Sequence, residues 1–169
     1  AHDVHHPLAK EFYYEDQRDA ALRRAPSFRD ARIPKFYGYL ERVIERNPAA
    51  SGHLVGDGVT TADLSLFQII EGMRYAFPKA SARLEPDYPG VVALHAKVAA
   101  RPGIAAYVAS GARIPFNEHG IFRHYPELDG EPSLEEEVVV VQVGFLNADQ
   151  GDAVICVQAD HRIGASITR

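Results

Sequence analysis

The chain has 169 residues, 46% of them hydrophobic and 24% charged, enough apolar material to bury the core of one domain and too much for a disordered chain. Its 18 Lys and Arg against 23 Asp and Glu leave a formal charge of −5 and a pI near 5.9, which argues against nucleic acid or a polybasic membrane contact as partner and for a small or neutral one. The single cysteine, Cys156, excludes an intrachain disulfide and a cysteine-based zinc site and favours a reducing, cytoplasmic setting, while no apolar run approaches the length of a membrane span.

The amino end reads AHDVHHPLAKEFYY, without Met or a signal peptide and as though a helix were already under way, so a segment upstream is expected. From Pro7 to about Ala25, Leu8, Phe12, Ala21 and Leu22 recur at roughly helical spacing among charged residues. That pattern predicts an amphipathic helix with Pro7 in its first turn or kinking it. Pro26 is expected to break this helix, and Ser27, with Asp30 three residues on, to cap a second one whose apolar stripe is Ile33, Phe36, Tyr37, Leu40 and Ile44. Pro34 should bend the second helix near its start, and Asn47-Pro48 should end it.

Residues 48–58, PAASGHLVGDG, read as a loop with turns at Gly52, Gly56 and Gly58. The next helix is expected from Thr60 to about Phe77, stopped by Pro78. Leu64, Leu66, Phe67, Ile69, Ile70, Met73 and Ala76 make it apolar on nearly every side, so it is expected to be buried all round. A further helix opens near Tyr88-Pro89 and carries Val91, Val92, Leu94 and Val98; a short one follows from Pro102 to Ser110, with Gly111 as its stop. Five helices joined by loops of up to about a dozen residues predict an all-α bundle for residues 1–129. Residues 130–169 differ: two β-prone runs, Val138–Leu146 and Ala153–Val157, flank the turn-like NADQGD. The two runs could pair as a hairpin, but a lone hairpin is marginal in water, so this tail should pack on something, pair with another chain or stay poorly ordered, and its composition also fits a read-through or frame-shifted segment.

Within LVGDGVTTADLSLF, Thr60 stands as N-cap and Asp63 at the third helical position, so each side chain can accept from the other's backbone N–H in a capping box. Val59 and Leu64 flank the box as a hydrophobic staple. A buried helix start cannot leave its first donors to water, which gives Thr60 and Asp63 a structural role.

The stretch VGDGVTTADLSLFQ resembles the start of the buried helix in the carboxy-terminal domain of cytosolic glutathione transferases. IPKFYGYLERVIERN resembles that family's preceding helix, YPGVVALHAKVAARPGIAAYVAS its following ones, and RIPFNEHGIFRHYPELD is similar to a microbial branch close to the sigma class. The resemblance covers residues 1 to about 112 for the family broadly, and residues 130–169 match nothing in it. It implies a glutathione transferase C-terminal-type helical bundle that walls the pocket for a hydrophobic electrophile, in a protein that is typically a homodimer. An amino-terminal thioredoxin-like domain would hold glutathione, as co-substrate and with no other cofactor, and would supply the Tyr, Ser or Cys that activates the thiol. The thiolate is the nucleophile, and a donor that stabilises it lowers its pKa. No residue of these 169 takes that role, so the chain alone is expected to be inactive.

By the same resemblance Asp3 would meet the glutathione amino group across the dimer, an acid suited to an ammonium. Tyr13, ten residues beyond Asp3, and Ala9, one turn earlier on the same helical face, would line the electrophile pocket. His2 and His6, spaced i,i+4 beside Asp3, are expected to form a surface cluster without a metal, because there is no HExxH arrangement. Nothing in the spacing of His119 and His124 requires a pocket, and Phe116, Ile121 and Phe122 are expected to anchor a returning segment. Ser27, Ser65 and Ser110 lack a nucleophile elbow, which rules against hydrolase chemistry. The alternative function is a non-catalytic, transferase-like interaction module whose exposed apolar surface a partner covers.

Overall fold

A computed structural model describes residues 1–130, and their regular structure is helical throughout. The expected β-prone runs and Cys156 lie outside the described residues.

The first helix, α1, is only His2–His5, because the chain turns out of helical geometry at His6 (φ −125°, ψ 66°). Pro7 lacks an N–H and pushes the residue before it away from the α region. Residues 6–13 are therefore a loop, and α2 begins at Tyr14 and runs to Ser27. This corrects the expected helix from Pro7. Pro26 does not break the chain either: it lies inside α2, which passes through a π turn, Phe28–Arg32, into α3, Ile33–Glu45. The Ile33 N–H reaches the carbonyl of Phe28 across that widened turn. Pro26 and Pro34 each remove a donor from the ladder, and one wide turn between them keeps the helix continuous. Ser27 is consequently helical and caps nothing, while Asp30 pairs with Arg83 at 2.6 Å.

Along α3 the inward stripe is Ile33, Tyr37 and Ile44, with Leu40 at the edge of the core. Of the adjacent aromatics it takes Tyr37, and Phe36 turns out to solvent. The central helix, α4, spans Thr61–Ala76 and packs on α6, Pro89–Ala99, which α3 also meets. It buries Leu66, Phe67, Ile70, Met73 and Ala76. It is not buried all round: Leu64 is 38% and Ile69 44% exposed.

Pro78 opens a helix that the sequence reading lacked, α5, Pro78–Leu84, and the same device starts α6 at Pro89 and α7, Pro102–Ala109. A proline at the first helical position loses nothing, since its N–H would be an orphan there. The residues before α5 and α6 are Phe77 and Tyr88, which cannot cap, so carboxylates from far along the chain do so. Asp129 accepts from the N–H groups of Lys79 (2.7 Å) and Ala80 (3.0 Å), and Glu41 from those of Gly90 (2.7 Å) and Val91 (2.8 Å). After α7, Gly111 takes φ +71°, the left-handed stop a glycine allows. No residue of α7 is buried.

Residues 113–130 then run back over the bundle. Phe116 stacks on Tyr75 at 5.1 Å and meets Phe122 edge-on at 5.9 Å. Phe122 lies so close to α4 that a Cβ on Gly72 would sit 2.5 Å from its ring, so only glycine fits there. The buried Arg29 side chain donates to the carbonyl of Leu128. Ile121, expected as an anchor, is instead 67% exposed, and Tyr125 and Leu128 take its place against the core.

Candidate functional site

The loop before α2 is held by one buried amide. Gln17 accepts from the N–H of Leu8 at 3.0 Å and donates to the carbonyls of Glu11 and Tyr13, both at 3.2 Å. A single side chain that ties three points of a loop restricts it strongly. The pinned loop nevertheless presents apolar groups to solvent: Leu8, Phe12 (86% exposed) and Tyr13 (70% exposed). Ala9 is also exposed, but it and Tyr13 share no helical face, since Ala9 lies in the loop and Tyr13 is the extended N-cap of α2. Asp3 sits on α1 with its side chain 78% exposed and 3.9 Å from His2. It lines a cleft of about 310 Å³ between α1 and the α2–α3 helix, and neither Ala9 nor Tyr13 lines that cleft.

Tyr14, one residue further on, has the opposite environment. It is buried, stacks on Tyr125 at 3.7 Å and donates its hydroxyl to Glu127 at 2.9 Å, where Arg18 also donates at 3.0 Å. Burial, followed by the bond to Glu127, pushes its phenol pKa far up, so Tyr14 is a packing residue that holds its proton. His5 is fully buried near the rings of Phe77 and Tyr125, and neither ring nitrogen has a hydrogen-bond partner among the described residues. Burial, with positive neighbours adding, lowers its pKa to about 3. His2 and His6 stack at 4.9 Å, and the described residues contain no group of three His, Cys, Asp or Glu able to hold a metal.

At the head of α4 the Asp63 carboxylate is the hub. Its Oδ1 accepts from the Leu54 N–H at 2.9 Å, and its Oδ2 from the Thr60 N–H at 2.7 Å and the Thr60 hydroxyl at 3.0 Å. The reciprocal approach of the Thr60 side chain to the Asp63 N–H is the looser half of the box. A second polar chain crosses the same helix further along. Arg74 grips Glu85 with two bonds of 2.8 Å and points a third nitrogen at His95 Nδ1, 3.3 Å away. Arginine only donates, so Nδ1 accepts and the proton on Nε2 goes to Glu71 at 2.8 Å. Glu71 also accepts from Arg113 at 3.0 Å, which ties the returning segment to α4. Sequence reasoning missed Gln17, Glu41, His95, Glu127 and Asp129, whose partners lie too far along the chain, or in too irregular a loop, for spacing to signal.

No helix among the described residues is long and apolar enough to cross a membrane. The family model for the glutathione S-transferase C-terminal domain matches residues 2–111. The chain is 33% identical over 70 residues to S-crystallin SL11 of Nototodarus sloanii, a stretch that is 41% of this chain and 32% of that protein. It thus spans about a third of the length of the curated relative it matches, and the likeness supports the sigma-like branch. With an all-helical bundle and a family match over most of the described residues, the chain belongs to the glutathione S-transferase family through its C-terminal domain.

Proposed function

We propose that residues 1–129 are the helical, electrophile-binding half of a glutathione transferase, which conjugates reduced glutathione to hydrophobic electrophiles as a homodimer once joined to a thioredoxin-like half. The observation that carries this reading is the loop before α2. It is fixed by Gln17 yet leaves Leu8, Phe12 and Tyr13 open to solvent, as one wall of an apolar pocket requires. Tyr13 and Ala9 then face the electrophile, and the exposed Asp3 is free to meet the glutathione ammonium of a partner subunit. The open side of α7, where Tyr107 is 50% and Val108 42% exposed, supports a competing reading as a non-catalytic interaction module.

Kinetics of the joined protein separate the two. Asp3→Asn is expected to raise KM for glutathione about tenfold, the loss of one charge-assisted bond, with KM for the electrophile unchanged. Tyr13→Ala is expected to lower kcat/KM for a hydrophobic electrophile about five- to tenfold, with little change in KM for glutathione. Conjugation that neither substitution alters would remove Asp3 and Tyr13 from the site, and no conjugation at all would favour the interaction module.

A further inference from the structure

We infer that Asp57 is a site of spontaneous isoaspartate formation, and that this modification loosens the start of α4. The dipeptide Asp-Gly occurs twice in the chain, at Asp57-Gly58 and Asp129-Gly130, and Asn-Gly does not occur. At such a pair the backbone nitrogen after the aspartate can attack the side-chain carboxyl carbon, because glycine puts no Cβ beside that nitrogen and turns freely about its backbone. The Gly58 nitrogen bonds to Asp57 Cγ and gives up its proton, and the hydroxyl of the protonated carboxyl leaves with that proton as water, closing a succinimide ring. Water then opens the ring. Cleavage of the original peptide bond between Asp57 and Gly58 leaves Gly58 linked through Cγ and the α-carboxyl free, with no net change in mass, whereas cleavage of the new bond restores aspartate.

The structure separates the two pairs. Asp57 and Gly58 are both exposed, neither makes a hydrogen bond or an ion pair with the described residues, and a Cβ on Gly58 would meet nothing within 4 Å. The ends of this short stretch are held. The Gly56 carbonyl accepts from Asn47 at 2.7 Å and from the Ser51 hydroxyl at 2.6 Å, and the Thr60 N–H donates to Asp63 at 2.7 Å. Between those anchors the Asp57 carboxyl and the Gly58 nitrogen are free to meet. Asp129 is 1% exposed, and its two oxygens accept from the Lys79 N–H at 2.7 Å and the Ala80 N–H at 3.0 Å, so its carboxyl carbon is not free to turn toward Gly130. Isomerisation at Asp57 inserts one backbone carbon between Gly56 and Thr60, and a span set for the shorter chain no longer fits both anchors. This inference does not depend on the conjugation reading.

The test is peptide mapping of the full chain after prolonged incubation at mildly acidic pH and physiological temperature. Isoaspartate is identified by its fragmentation and by methylation with an isoaspartyl-specific methyltransferase. In the folded chain the product is expected at Asp57 at least about tenfold faster than at Asp129, whose carboxylate reacts only from opened conformations, and in concentrated urea the two rates should converge. Asp57→Glu, which would need a larger imide ring, should abolish the product. Gly58→Ala, which adds a Cβ into open space and so keeps the fold, should slow it about three- to tenfold. In the isoaspartyl form, amide exchange at Thr60 should accelerate about tenfold. Equal rates at the two sites in the folded chain, no product at Asp57 when the urea-unfolded chain has formed it, or unchanged Thr60 exchange in the isoaspartyl form would overturn the inference.

Discussion

Asp63→Ala is expected to destabilise the chain by about 2 to 4 kcal/mol, because it orphans two backbone donors at once, one buried and one half-buried, each costing roughly 1 to 3 kcal/mol. The carboxylate has no solvent exposure, and its two oxygens satisfy the N–H groups of Leu54 and Thr60 and the Thr60 hydroxyl. Leu54 belongs to the loop before α4, so the acid ties that loop to the helix as well as capping it. Thr60→Ala removes only the hydroxyl and should cost about 1 kcal/mol. Urea midpoints at constant slope measure both, and an unchanged midpoint for Asp63→Ala would refute this account of the helix start. Acid sharpens the test. Burial alone would raise the Asp63 pKa, but the Leu54 and Thr60 donors outweigh it and hold the carboxyl below its ordinary 3.8. A depressed folded-state pKa means stability that is present above pH 3.8 and lost as pH falls through the folded value. Asp63→Asn should therefore flatten the loss of stability below that pH.

Asp129→Ala should cost about 2 to 4 kcal/mol, since it strips two adjacent donors, the N–H groups of Lys79 and Ala80, of their buried acceptor. The same side chain fastens the end of the returning segment to the start of α5, so the substitution has a local signature. Amide exchange at Lys79 and Ala80 should accelerate, and protease cleavage within residues 113–129 should become faster. Asp129→Asn keeps one acceptor oxygen and should lose about half as much stability. Full protection of both amides in Asp129→Ala would show that the cap is not what holds this junction.

The elements that could be read from the chain are those whose signals are local. The stretches that became α4, α6 and α7 combine helical periodicity with a nearby Thr, Pro or Gly, and the structure places their starts within a residue or so of the expected positions. Proline was the ambiguous letter. It ends a helix, begins one or, beside a π turn, sits inside one, and the difference between Pro26 and Pro78 depends on donors that other segments supply. Incomplete burial was equally hidden: the pattern of α4 does not say that Leu64 and Ile69 remain uncovered.

The site was legible only by resemblance. Spacing alone put Ala9 and Tyr13 on one helical face, and Pro7 dissolves that face into a loop. Of the consecutive tyrosines, nothing local distinguishes the exposed Tyr13 from the buried Tyr14; the difference comes from Tyr125 and Glu127, more than a hundred residues away. Gln17, which gives the loop its shape, is an ordinary polar residue in a charged helix until its three partners are seen.

Calorimetric titration with reduced glutathione, of this chain alone and of the same chain joined to a thioredoxin-like half, tests most directly whether these residues are one half of a transferase. Saturable binding by the joined protein and none by the 169-residue chain alone is the predicted result. Binding by the chain alone, or by neither protein, would contradict it.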